Sequence, residues 1–179
     1  MINHYGCQSM VNPIRKVLIK HTKEGFKSQS ELNQSASKLN YSETPNFSKS
    51  ISDYDQFVKL LKSFDIEIHY LPYDNNTTPD SIYTHDPCIV SNKGVILCSM
   101  GKDDRRSEVP AVESYFKSLD IPILGKIKKP GNLEGGDVVW INERLVAVGE
   151  GYRSNSEGIK QLKDLLSDLV DNVISVPLP

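Results

Sequence analysis

With 179 residues, 38% hydrophobic and 25% charged, the chain has the composition of a folded globular domain. A net charge of -2 and a pI near 6.1, with no basic run longer than Arg105-Arg106 or Lys128-Lys129, leave no electrostatic footprint for nucleic acid or an anionic membrane surface. The longest apolar runs, such as Val95-Ile96-Leu97-Cys98, fall far short of the ~20 residues that span a bilayer, and Met1-Ile2-Asn3-His4 lacks the basic start and apolar core of a secretory leader.

Cys7, Cys88 and Cys98 are odd in number and widely spaced, which argues against a disulfide framework or a CxxC metal site. No metal, no cofactor and a reducing cytoplasmic setting are expected.

A loop, Gly6-Cys7-Gln8-Ser9-Met10, leads into a first strand over residues 13–20. Residues 28–50 hold seven Ser and three Asn with few large apolar side chains, and are expected to form a solvated insertion, either a lid or a long loop. Ile51, Tyr54, Phe57, Val58, Leu61 and Phe64 then recur at helical spacing, and residues 66–71 alternate like a strand.

After a turn-rich segment, residues 74–80, two apolar runs flank Asn92-Lys93-Gly94 and predict a hairpin. Val109, Val112, Tyr115, Phe116 and Leu119 define one face of a helix, with Pro110 in its first turn, and residues 121–124 follow as a strand. The order repeats. Residues 138–141 and 145–148 flank a turn at Asn142-Glu143-Arg144, Ser154 and Glu157 have capping-box spacing before a helix with Ile159, Leu162, Leu166 and Leu169 inward, and residues 173–176 close the unit.

The chain therefore carries two strand–strand–helix–strand units, residues 86–125 and 134–177, and residues 13–71 resemble a third, interrupted by the insertion. The second unit opens on Glu134-Gly135-Gly136-Asp137, where two carboxylates bracket a glycine pair at a strand entrance. An isolated match of this kind is most often a solvated turn.

Its context adds weight. Asp80, Tyr83, His85 and Asp86 precede one hairpin and Arg105-Arg106 follow it; Glu134 and Asp137 precede the next and Arg153 follows it. Acids before and arginines after, twice over, suit a ligand with a guanidinium or ammonium at one end and a carboxylate at the other. The competing reading of the arginines is a solvated helix start, although basic residues there oppose the helix dipole. His85 is either a base or ligand, or a hydrogen-bonded loop residue.

GCQSMVNPIRKVLIKH, PDSIYTHDPCIV, MGKDDRRSEV, GNLEGGDVVW and VGEGYRSNSEGIKQL together resemble the guanidino-group-modifying superfamily, the pentein fold. Within it the resemblance is to dimethylarginine dimethylaminohydrolase, arginine deiminase and the amidinotransferases. It implies an α/β propeller of five ββαβ units, of which about three fall in this chain. It also implies attack by a cysteine on the guanidino carbon, a histidine that protonates the departing amine and later activates water, and carboxylates that hold the cation.

By motif position, Glu134 resembles the acid that orients the histidine and the guanidinium, and Asp86 the guanidinium-binding carboxylate. Asp80, Arg105 and Arg153 resemble the groups that hold the substrate's amino-acid end, Tyr83 an aromatic wall, and His85 and Asp137 are further substrate-side candidates. Two departures stand out. His85 replaces an acid of the dimethylarginine hydrolases, and the family's catalytic histidine and late cysteine have no counterpart among these residues; Cys88 and Cys98 fall inside hairpin strands, where a thiol is usually a small apolar residue.

The resulting expectation is the N-terminal part of an enzyme hydrolysing a guanidino C–N bond, inactive by itself, with amidino transfer as the runner-up. Its partners are a small guanidino or amino-acid substrate, neither nucleic acid nor membrane, and either the missing C-terminal part or a second copy. The alternative is a non-catalytic pentein-like scaffold, as in the ribosome anti-association factor, or a degenerate homologue.

Overall fold

The computed structural model describes residues 5–179, so the expectation drawn from Met1 to His4 lies outside it. The chain folds as two compact units: Pro13–Thr84, and His85–Pro179 together with the residues up to Asn12.

In the first unit, β1 (Lys16–Ile19) pairs in parallel with β2 (Glu67–Tyr70), and α1 (Thr22–Phe26), α2 (Gln29–Ser35) and α3 (Phe47–Ser63) lie between them in sequence. This is a two-stranded βαβ arrangement, without the antiparallel hairpin seen in the repeats that follow. The Ser-rich insertion is not the plain loop expected of it. Ser28 caps α2 by accepting the Glu31 N–H at 3.1 Å, and Leu32, Ala36 and Leu39, at i, i+4 and i+7, are buried. The helix expected after it forms, starting earlier at Phe47, but of its apolar face only Val58 is fully buried; Phe57 and Phe64 are exposed.

The second unit contains the two repeats. β3 (Cys88–Ser91) and β4 (Gly94–Leu97) form the antiparallel hairpin, α4 (Glu108–Ser118) crosses over, and β5 (Ile123–Lys126) adds in parallel to β4. At the hairpin turn Gly94 has φ +142°, and a Cβ there would come within 2.5 Å of the Pro122 carbonyl, so the position needs glycine for both conformation and space. β6 (Val138–Asn142), β7 (Leu145–Glu150), α5 (Ser156–Leu165) and β8 (Asn172–Pro177) repeat the same ββαβ order. Of the expected helix faces, Val112 and Phe116 on α4 and Ile159, Leu162 and the following Leu166 on α5 are buried, whereas Leu119 caps the end of α4 and is exposed.

One core runs through both repeats, from Ile96 and Met100 through Leu133 to Trp140, Val146 and Leu162. Backbone bonds stitch the repeats together where the next site is built: Ser99 and Leu133 exchange N–H···O bonds of 3.2 and 3.0 Å, and the Gly135 N–H donates to the Asp86 carbonyl at 2.7 Å. Gln8, in the leading loop, bridges two hairpin turns, donating to the Glu143 carbonyl at 2.7 Å and accepting the Asn92 N–H at 2.9 Å.

Candidate functional site

The Glu134–Asp137 segment lies directly against the residues that precede β3. A Cβ on Gly135 would stand 2.2 Å from the His85 carbonyl oxygen and 2.8 Å from that of Cys88, and a Cβ on Gly136 would stand 2.5 Å from Asp86 Oδ1. The glycine pair is thus what brings the two acidic segments together, and Asp86 and Glu134 are neighbours through the Gly135 N–H bond to Asp86. The segment makes one 3-10 turn, Gly135–Asp137, and enters β6.

Glu134 is buried. Its Oε1 accepts the Gly101 N–H at 3.1 Å, and its own N–H donates to Ser154 Oγ at 3.0 Å. Ser154, wholly buried, donates in turn to Asp137 Oδ2 at 2.6 Å. Ser154 was expected to cap α5; the cap is instead Asn155, whose side chain accepts the Gly158 N–H at 2.9 Å. The hydroxyl is committed to the acidic segment, and Asp137 supports Glu134 through it.

Asp86 faces Arg105. Its Oδ2 accepts from Arg105 Nη1 at 2.6 Å, while Glu108 takes the other edge of the same guanidinium, Nε to Oε1 and Nη2 to Oε2, each at 2.8 Å. Arg105 and Glu108 side chains are 5% and 2% exposed against 20% for Asp86, so the cluster is closed at one end and opens at Asp86. Burial alone would pull the Arg105 guanidinium down, but the hydrogen bonds and charge of Glu108, then those of Asp86, outweigh it and hold the group charged. Arg105, expected against a ligand carboxylate, is placed against two protein carboxylates, and Glu108 is a participant that motif position did not mark.

Arg153 follows β7 as expected. Its Nε donates to Tyr152 Oη at 2.7 Å and its guanidinium stacks over that ring at 5.2 Å; this bond chiefly raises its affinity for the proton. A Cβ on Gly101 would lie 2.9 Å from Arg153 Cα, so the backbone of Arg153 packs on the same residue that binds Glu134. His85 is exposed.

Asp80 and Tyr83 belong to the Pro13–Thr84 unit. Asp80, 5% exposed, sits in the 3-10 turn Pro79–Ile82 and accepts the Tyr41 hydroxyl at 2.8 Å through Oδ1. Tyr83 is exposed and, with Tyr41, Phe26 and Glu43, lines an open cleft of about 230 Å³. The insertion thus supplies part of this wall.

Of the thiols, Cys88 and Cys98 are buried: burial pushes Cys88 up to about 12, and burial, then the neighbouring Cys88, Asp86 and Glu134, holds Cys98 well above the usual thiol range. Cys7 is exposed. Among the described residues no three His, Cys, Asp or Glu are grouped to hold a metal ion, and no helix is long and apolar enough to cross a membrane.

The arginine deiminase family model matches residues 72–179, more than half of the chain. Dimethylarginine dimethylaminohydrolase of Pseudomonas aeruginosa is 27% identical over 122 residues, 68% of this chain and 47% of the relative. The Streptomyces coelicolor enzyme of the same name is 30% identical over 129 residues, 72% of this chain and 48% of its own length. Arginine deiminase of Listeria monocytogenes is 30% identical over 117 residues, covering 60% of this chain and 28% of the relative. The chain thus spans about half the length of the two hydrolases. Among solved structures, the Pseudomonas aeruginosa hydrolase complexed with citrulline superposes with a TM-score of 0.77 at 22% identity, over 94% of this chain and 62% of that one. An amidinotransferase from Microseira wollei gives 0.75 at 10% identity, over 97% and 62%. These two likenesses are of fold.

Proposed function

This chain belongs to the arginine deiminase family, within the guanidino-group-modifying pentein superfamily, and we propose that it carries the substrate-holding part of an enzyme acting on the guanidino carbon of an arginine-like molecule. The observation that carries this reading is the junction of Asp86 and Glu134 across the Gly135-Gly136 pair. Asp86 Oδ2 is held by Arg105 and Glu134 Oε1 by the Gly101 N–H, and in this reading the second oxygen of each acid serves a planar cation. Arg153, which follows β7 in the same unit as Asp86 and Glu134, takes the carboxylate of the substrate. Asp137 acts behind Glu134, through Ser154.

The reaction is hydrolysis. A thiolate adds to the guanidino carbon, the C–N bond to the departing amine breaks as that nitrogen gains a proton, and water resolves the thiouronium adduct. Guanidinium is a poor electrophile because its charge is delocalised, and the two carboxylates serve to orient it rather than to activate it. Amidino transfer shares the covalent step and differs in using an amine in place of water. Neither buried thiol suits the nucleophile, so the thiolate and the proton-handling histidine are assigned to another part of the enzyme, as the likeness to the pentein superfamily implies.

Thermal-shift and calorimetric titration with arginine, methylated arginines, agmatine and ornithine tests the site. Guanidino ligands are expected to stabilise the chain more than ornithine does, with Asp86→Asn and Glu134→Gln each weakening them roughly ten- to hundredfold, the range for a charge-assisted hydrogen bond. No citrulline or urea-type product is expected from the pure chain. Binding that survives both substitutions would favour a scaffold, and turnover would overturn the assignment of the nucleophile.

A further inference from the structure

Arg105 presents a fork with two usable edges, and an arginine beside a single carboxylate normally spends the fork on it, bidentately. Here the Nε and Nη2 edge is taken by Glu108, at 2.8 Å for each bond, and Asp86 receives one bond, from Nη1 at 2.6 Å to Oδ2. Asp86 Oδ1 lies instead beside Gly136, at the point a Cβ would approach within 2.5 Å. Arg105 thus faces two carboxylates, and Glu108 takes the bidentate edge. Glu108 is 2% exposed and Asp86 20%, so Asp86 is the end at which a ligand meets the cluster.

We infer that Glu108 is a positioning residue: by occupying and neutralising Arg105, it keeps the Asp86 carboxylate anionic in effect and one of its oxygens turned toward the ligand. Without Glu108, Arg105 would cancel Asp86 in a largely buried setting, where opposite charges couple more strongly than in water, and would draw both of its oxygens. The result would be a site still shaped for a planar head group but no longer selective for a charged one. The inference rests on the guanidinium-binding role proposed for Asp86, and it adds a residue and a basis for discriminating charge.

The test compares arginine with citrulline, which has the same amino-acid end and a similar planar head without the positive charge, by calorimetric titration of the chain. Glu108→Gln keeps the shape and part of the hydrogen bonding but removes the charge. It is expected to weaken arginine at least about tenfold, one charge-assisted bond's worth, while changing citrulline less than about twofold. Equal losses for both ligands, or no loss for either, would overturn the inference and leave Glu108 a structural acid at a helix start. Should Glu108→Gln fail to fold, the double variant Arg105→Gln with Glu108→Gln removes the cation and its counter-charge together. It is expected to keep the wild-type preference for arginine over citrulline, and loss of that preference would be equally fatal. If the wild-type chain binds neither ligand, the guanidinium site itself is wrong, and this inference falls with it.

Discussion

Arg105→Ala is expected to cost about 3–5 kcal/mol of folding stability, the range seen when one member of a buried ionic cluster is removed. The truncation removes the bidentate ion pair of Glu108, 2% exposed, and deprives Asp86 of its only ion-pair partner among the described residues. Both acids then either remain ionised in a poor dielectric or take up protons. Urea denaturation at neutral pH measures the loss; with total stabilities of about 5–15 kcal/mol for domains, it is large enough to unfold a marginal chain. Arg105→Lys is expected to recover only part of it, since an ammonium cannot fill the fork geometry that serves two carboxylates at once. A cost under about 1 kcal/mol for Arg105→Ala, the figure for an exposed pair, would mean the cluster is solvated.

Gly135→Ala is the second large effect, expected at about 3 kcal/mol, the upper part of the usual overpacking range. The added carbon meets two backbone oxygens, those of His85 at 2.2 Å and Cys88 at 2.8 Å, and neither can rotate away. Nor can the segment retreat without giving up the 2.7 Å bond from Gly135 N–H to the Asp86 carbonyl. Gly136→Ala makes the informative contrast. Its Cβ meets only the Asp86 carboxylate, at 2.5 Å, a side chain that can turn, and Gly136 is exposed. That variant is expected to fold nearly as well as the parent while losing guanidinium binding. Similar denaturation midpoints for the two alanine variants would contradict the packing described.

Much of this arrangement was legible before any coordinates. Periods of two and 3.6 located both ββαβ repeats, and Gly-Gly between two acids located the junction. What escaped depends on partners distant in sequence. Ser154 and Glu157 have the spacing of a cap, but the Ser154 hydroxyl is claimed by Glu134 and Asp137, seventeen or more positions away, and Asn155 caps instead. Glu108 stands three residues after Arg105, a spacing that permits an ion pair but says nothing of whether it is buried. In the Ser-rich segment the signal was present and diluted: Leu32, Ala36 and Leu39 form a narrow stripe among serines, enough to seat one short helix. Conversely, Phe57 and Phe64 fit the helical period and remain exposed, since periodicity states which face is apolar and not what covers it.

The most direct examination of the whole account is a crystal structure of the chain grown with arginine. The guanidinium is expected in hydrogen-bond reach of both the Asp86 and Glu134 carboxylates, with Arg105 still gripped by Glu108. Arginine bound elsewhere, or the two carboxylates turned apart around solvent with the ligand present at saturation, would contradict it.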